Sequence, residues 1–377
     1  MRNKVVSKIN GFAEKSKGKV HVLFLGQPNS EFIAEFDSTV NIHQFRKPMV
    51  NSKVLRLPIF YHLLFEKKYE LLYKKAYSII ESINPEFVIL RDSLGSKQLK
   101  LFCASIAEKS KLIFELNSDL LAEYEMLNQR NSASAWSQIS LEKEAKWKKK
   151  TLNHGYKFIS VSAEIGEVYQ KRYSLDSAKF KVISNGIDYN KRVLAEFPTQ
   201  FETIRCIFLA GGGDSYYKIE RMIKSLEPYR GARKIELSIV GIDKTDVHES
   251  SYSINYYSKV PKSELNQFMM DTHIGISTLG LYKKKLNKAS TLKVREYLMA
   301  GIPVLLGYDD NDIPSNCPFV MNVSNSEELV DLDLLVRYVD RVYQNKSIRS
   351  EISDFFQSSI SSKSKINELF DVLYDSN

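Results

Sequence analysis

The chain has 377 residues, 43% hydrophobic and 26% charged, with a formal net charge of +9. That length is too great for one ordinary core and predicts two domains of about 180 residues each, with the composition of a soluble globular protein. No run of about 18 apolar residues occurs, which excludes a membrane-spanning helix, and the opening Met1–Asn10 lacks the continuous apolar stretch of a secretory signal. Cys103, Cys206 and Cys317 are odd in number, widely spaced and set among apolar neighbours. They are expected as buried free thiols of a reducing cytoplasm, not as a disulfide frame or a metal cluster.

The charge is unevenly placed. Residues 1–190 hold 30 Lys and Arg against 20 Asp and Glu, and the remainder holds 24 against 25. Such a bias points to an anionic partner for the first half: a membrane surface, a phosphorylated acceptor or nucleic acid. Solubility alone explains it equally well.

In chain order, short apolar runs predict strands at His21–Gly26, Glu86–Arg91, Leu112–Leu116, Phe158–Val161 and Phe180–Ile183. Helical periodicity predicts helices at Tyr61–Ile83, Lys97–Lys109, Leu141–Asn153 and Ala163–Tyr173. The alternation argues for βαβ units around a parallel sheet, forming a first domain over residues 1–190. Within Phe60–Ile80, apolar Phe60, Leu63, Leu64, Tyr69, Leu72 and Tyr73 mix with Lys67, Lys68, Lys74 and Lys75. That pattern fits a helix packed on its own sheet and also a basic helix resting on an anionic bilayer.

Ser184-Asn185-Gly186-Ile187-Asp188 breaks the pattern with a turn dipeptide, and the aperiodic residues 191–203 read as a linker. The pattern restarts with a strand at Cys206–Leu209, the loop Ala210-Gly211-Gly212-Gly213-Asp214 and a helix from about Tyr216 to Leu226. Strands at Glu236–Gly241 and Ile254–Tyr257, a helix at Lys262–Met270 and a strand at Ile274–Leu279 follow. A basic loop then leads to a helix with Ser290 as its N-cap and to a strand at Ile302–Leu306. A second domain is therefore expected over 204–355. Residues 356–377, with the serine-rich Ser358–Ser364, are expected as a C-terminal helix packing back on the first domain. The fold class is α/β: two Rossmann-like doubly wound domains facing a central cleft.

Two places carry chemistry. After a strand, Gly211-Gly212-Gly213 lets the backbone approach a ligand without a Cβ in the way, and Lys218 follows within reach of a phosphate. It is neither G-x-G-x-x-G nor a Walker A loop. The helix beginning near Ser290 has an apolar stripe (Val294, Tyr297, Leu298) and, opposite, Lys293 and Glu296 at i, i+3. A helix start suits a phosphate, and a carboxylate one turn deeper suits a ribose diol. The same two residues also match a plain surface ion pair contributing about 0.2–0.5 kcal/mol.

Over Val182–Asp188 (Val-Ile-Ser-Asn-Gly-Ile-Asp), Gly211–Leu226 and Ile274–Leu306 the chain resembles the GT-B glycosyltransferases, specifically the family 4-like retaining enzymes (glycosyl transferases group 1). The resemblance implies that Lys218 and Lys293 bind the diphosphate of a nucleotide sugar, that Glu296 binds the ribose, and that Ser290, Thr291 and Leu292 line the helix start. It places Gly211 and Gly212 at the phosphates and Gly241 and Val260 at the nucleobase. Two departures stand out: Lys288 occupies the place of a second glutamate, and Gln27-Pro28-Asn29-Ser30 replaces a glycine-rich acceptor loop.

The implied reaction is transfer of a sugar from a UDP- or GDP-linked donor to a glycan or lipid-linked acceptor with retention, independent of metal and with no further cofactor. Lys218, Lys293 and the helix dipole would neutralise the leaving diphosphate. Glu115 and Asn117, ending a strand of the first domain, are the candidates on the acceptor face, and a simple hydrogen-bonded loop is their alternative. The expected setting is bacterial surface polysaccharide biosynthesis in the cytoplasm, with peripheral contact to the anionic inner face of the plasma membrane and no nucleic-acid partner. The other reading is a catalytically silent glycosyltransferase-like subunit. Asp310-Asn311-Asp312 is expected as a turn and not as a metal-binding D-x-D, and the six histidines show no metal-ligand spacing.

Overall fold

The computed structural model describes residues 2–16, 19–25, 30–45, 58–123, 125, 145–188, 201–210, 219–258 and 260–374. The chain divides into two compact units, Lys4–Ile183 joined by the tail from Glu368, and Ser184–Asn367.

The first unit runs α1 (Arg2–Ser16), β1 (Val20–Phe24), α2 (Ser30–Ile33), β2 (Val40–Gln44), α3 (Pro58–Ile83), β3 (Phe87–Arg91), α4 (Lys97–Ala107), β4 (Lys111–Leu116), β5 (Lys157–Ser160), α5 (Ala163–Tyr173) and β6 (Phe180–Val182). β1 and β2 form a parallel pair, and β3-β4-β5-β6 form a four-stranded, all-parallel sheet. Alternation along β4 explains its burial on both faces. Leu112, Phe114 and Leu116 join a core with Tyr73, Phe102 and Tyr169, whereas Ile113 joins Ile159, Ile183, Leu369 and Leu373 on the opposite face. Ser96 and Ser162 cap α4 and α5 by accepting hydrogen bonds from Leu99 N–H (3.1 Å) and Ile165 N–H (3.3 Å).

α1 and β2 are elements that the sequence patterns did not predict. α1 packs Val6 and Ala13 against Phe32, Phe36 and Val40, and its Phe12 against Ile113 and Leu369. A helix with apolar residues on two sides has no single stripe, which hides its periodicity. The described side chains of α3 favour the packed reading of that basic helix: Leu72, Tyr73, Ala76 and Ile80 are buried, and Tyr73 stacks on Phe102 with centroids 4.9 Å apart. No helix among the described residues is long and apolar enough to cross a membrane.

The second unit holds β7 (Thr203–Leu209), α6 (Glu220–Leu226), β8 (Lys234–Val240), β9 (Val247–His248), β10 (Tyr252–Tyr257), α7 (Lys262–Met270), β11 (Ile274–Ile276), α8 (Leu292–Met299), β12 (Val304–Leu306), β13 (Val320–Asn322), α9 (Leu332–Tyr343), α10 (Ile348–Phe355) and the start of α11 (Ser362–Tyr374). Its sheet has the order β13-β12-β11-β7-β8-β10-β9, parallel except for β9. From β7 the chain builds outward through β8 and β10, then returns to the other side of β7 with β11. The topological switch therefore lies between β7 and β11, and ligands of such sheets bind outside the strand carboxyl ends at this point.

β11 ends at Ile276, short of the predicted Leu279, because the Ser277 hydroxyl accepts the Gly307 N–H (3.2 Å) where a ladder bond would otherwise continue. At Gly275 a Cβ would lie 2.3 Å from the Tyr297 ring. That buried ring accepts the Leu209 N–H at its hydroxyl (2.8 Å) and so fixes α8 against the end of β7. Gly275→Ala must displace it, and overpacking of this kind is expected to cost about 1–3 kcal/mol. Urea unfolding checks this; an unchanged midpoint would show that the ring yields freely.

Candidate functional site

α8 follows β11 and so opens at the carboxyl edge of the sheet. The structure moves its cap by one residue from the expected Ser290 to Thr291, and Thr291 makes no side-chain cap bond. Its hydroxyl pairs instead with the Tyr308 hydroxyl at 2.6 Å. Ser290 is diverted because its Oγ accepts the Asn185 N–H (2.8 Å) and its carbonyl accepts the Asn185 side-chain amide. The first-turn N–H groups of α8 are thereby left without a side-chain cap, which is the arrangement an anion exploits.

Along α8, Val294, Tyr297 and Leu298 are buried while Leu292, Lys293 and Glu296 are half-buried. Lys293 Nζ lies 3.6 Å from the centroid of Phe208, near the end of β7. A cation over an aromatic face is attracted electrostatically by the ring. The ammonium thus packs against Phe208 of β7, and Glu296 sits one turn further along the same helix.

Gly241 follows β8 with φ +100°, and a Cβ there would lie 2.7 Å from the Ala210 carbonyl oxygen. Its N–H donates to the Tyr257 carbonyl (2.8 Å), and Ala210 N–H donates to the Val240 carbonyl (2.8 Å). The carboxyl ends of β7, β8 and β10 are therefore stitched together through glycine backbone. Val260, partly buried against the core, precedes Pro261 at the start of α7. Gly211, Gly212 and Lys218 lie outside the described residues. The structure thus brings Gly241, Val260, Ser290, Thr291, Leu292, Lys293 and Glu296 to one edge of one sheet.

Sequence reasoning missed what holds that edge in place. Arg295, fully buried, donates from Nε to the Asn185 carbonyl (3.0 Å), from its Nη atoms to both Asp310 oxygens, and to Asp312 Oδ2 (2.8 Å). Lys365 Nζ completes the chain at Asp312 Oδ1 (2.7 Å). Burial works against the guanidinium charge, but the two carboxylates outweigh it and hold its pKa above the usual value. Asp310-Asn311-Asp312 is the turn that was expected, with Asp310 Oδ1 accepting the Asp312 N–H (3.1 Å). The available signal was Arg295 itself, an arginine on the apolar side of a helix. Gly186 belongs to the same construction: a Cβ there would lie 3.0 Å from Ser362 Cα.

In the first unit, Glu115 and Asn117 close β4. Lys8 Nζ lies 2.9 Å and Lys4 Nζ 3.9 Å from Glu115 Oε1, and Lys4 Nζ donates to Asn117 Oδ1 at 2.5 Å. Burial pushes the Glu115 carboxyl up, but Lys8 and Lys4 overcome it and hold the pKa down at about 2. Nearby, Asp92 accepts from Lys148 Nζ (2.7 Å) and the Tyr169 hydroxyl (2.6 Å), and Tyr169 also reaches the Ser118 carbonyl (3.2 Å). His273 is a packed residue: its Nδ1 accepts the Arg205 N–H (2.9 Å), and burial lowers its pKa to about 3.

No protein-family model matches the chain, and no curated protein matches its sequence. Solved structures do. The lipopolysaccharide outer core galactosyltransferase WaaB, in its apo form, is 10% identical with a TM-score of 0.59, covering 100% of this chain and 96% of its own. A glycosyltransferase from Rickettsia africae is 13% identical with a TM-score of 0.61, covering 99% and 94%. Anabaena HepE, solved with UDP and glucose, is 10% identical with a TM-score of 0.56, covering 99% and 96%. At these identities the likeness is one of fold, and the fold is the GT-B fold of glycosyltransferase structures.

Proposed function

We infer that the chain is a glycosyltransferase that moves a sugar from a nucleotide-sugar donor, UDP- or GDP-linked, to a glycan or lipid-linked acceptor with retention. The observation that carries this reading is the start of α8: uncapped N–H groups, Lys293 held over Phe208, and Glu296 one turn inward. All lie on the edge where Gly241 abuts Ala210. In transfer, the bond from the anomeric carbon to the diphosphate breaks, the acceptor hydroxyl oxygen bonds to that carbon, and its proton passes to the leaving diphosphate. Charge on the leaving group is neutralised by Lys293, Lys218 and the helix start, a set of cations that makes the transfer independent of metal. Glu296 accepts from the ribose diol, and the backbone at Gly241 and Val260 flanks the base. Glu115 and Asn117 lie on the acceptor side.

Support for the donor class comes from HepE, a structure with UDP and glucose. Support for a bacterial surface polysaccharide comes from the outer core enzyme WaaB. The same reading sets the work in the cytoplasm, supported by the three buried free thiols, in peripheral contact with an anionic inner membrane face, supported by the basic first half of the chain. Calorimetry with UDP and GDP is expected to give saturable binding of one of them. Incubation with a panel of nucleotide sugars should then release the free nucleotide. Absence of binding to every nucleotide would remove the enzyme reading. Binding without turnover or transfer would favour the silent subunit, for which Lys288 in place of a glutamate is the motivating residue.

A further inference from the structure

α1 presents Lys4, Lys8 and Phe12 on one face, at i, i+4 and i+8. Phe12 reaches the apolar face of the first unit's sheet beside Ile113 and Leu369. The two lysines reach the carboxyl end of the same face, where Glu115 stands in register with Arg91 of β3. The ammonium of Lys4 is well shielded, its side chain 11% exposed, against 26% for Lys8 and 15% for Glu115. A shielded cation is unfavourable unless matched by charge and hydrogen bonds, and here the Glu115 carboxylate serves both lysines. Arg91 adds a further positive field at that carboxyl.

The amide of Asn117 gives the second observation. Lys4 donates to Oδ1, which fixes the amide's orientation. Its Nδ2 is then a buried donor with no hydrogen-bond partner among the described residues. Donors therefore converge at this edge: two ammonium groups and an orphaned amide N–H. What completes such a set is a group rich in acceptor oxygens, and charge-assisted bonds to an oxyanion are the strong ones. The place is the carboxyl edge of a parallel sheet, where such folds bind ligands.

We propose that Lys4, Lys8 and Asn117 form a binding point for an oxyanion carried by the acceptor, so that the acceptor is a phosphorylated or acidic sugar compound. The proposal deepens the glycosyltransferase reading and rests on it for the word acceptor; the anion site itself is measurable apart from it. Glu115 holds the two ammonium groups at this edge, and the ligand oxygens take the Asn117 amide hydrogen beside them. Binding weakens as salt rises.

The test uses the full chain saturated with UDP, so that the second unit is occupied, and titrates it with glucose 1-phosphate, methyl glucuronoside and, as the neutral control, methyl glucoside. The phosphate, the uronate or both are expected to bind, and the neutral sugar not. Preference between the two anions assigns the source of the charge. Asn117→Asp keeps the acceptor for Lys4 and replaces the orphaned donor with a negative oxygen, and it is expected to lower anion affinity at least tenfold. Lys4→Met with Lys8→Met should do the same, with circular dichroism confirming that α1 is retained. Equal anion affinity in Asn117→Asp and the parent, or no binding of either anion, overturns the proposal. UDP affinity is read separately: its absence would strike the glycosyltransferase reading, and the anion titrations would then be run on the same protein without UDP.

Discussion

Arg295→Met is expected to remove about 3–5 kcal/mol of stability, because one partner of a buried ion pair is lost and the other stays buried. Arg295 and Asp310 are both fully shielded, and the guanidinium grips both oxygens of that carboxylate. Asp312 is less exposed to the change, since Lys365 still neutralises it at 2.7 Å. The stranded group is therefore Asp310. The damage also spreads along the hydrogen bonds, from Asn185 to Ser290 at the mouth of α8. Adding Asp310→Leu to Arg295→Met removes the uncompensated charge and should recover most of the loss, a coupling that distant sites do not show. Guanidinium denaturation of the parent, the single variant and the double variant measures it. A loss under about 1 kcal/mol in the single variant would mean that water or another cation reaches Asp310.

The residues that were legible in the sequence are those whose role is local. Short apolar runs predicted β3, β4, β5, β7, β8 and β10, and the interval Lys262–Met270 matches α7 at both ends. Alternation of strands and helices predicted a parallel sheet in each unit, although in the first unit β1 and β2 pair apart from the four-stranded sheet and in the second β9 runs antiparallel. That Lys293 and Glu296 lie on one face of α8 was legible for the same reason, since their spacing is i, i+3. What was hidden depends on contacts distant in sequence. Lys4 and Glu115 are far apart in the chain, and neither residue's neighbours announce the pairing. Ser290 reads as a cap because serine before an apolar stripe usually is one; Asn185 outcompetes the helix for its hydroxyl. Arg295 lies between Val294 and Glu296 with no local pattern to announce its partners, and it is what joins the Ser184–Asp188 turn to the Asp310–Asp312 turn.

Glu296→Ala is expected to weaken UDP binding about 10- to 100-fold, the scale of a charge-assisted hydrogen bond lost to an uncharged methyl. Lys293→Met is the companion change. Methionine keeps an apolar stem over Phe208 while removing the charge, so the packing under α8 survives and the phosphate contact does not. The two variants should separate by ligand. Lys293→Met should lose affinity for UDP and leave uridine binding untouched, because uridine carries no diphosphate. Glu296→Ala should weaken UDP and uridine alike and lose little against 2′-deoxy-UDP, where one hydroxyl of the diol is already gone. Combined, the changes act on different parts of one ligand, so their free energies should add when measured against UDP. Titration calorimetry reads all of these affinities. If Glu296→Ala lowered UDP and 2′-deoxy-UDP affinity equally, the carboxylate would be holding the helix and not the sugar. The ribose would then have to be met by another group on the edge that β7, β8 and β11 share.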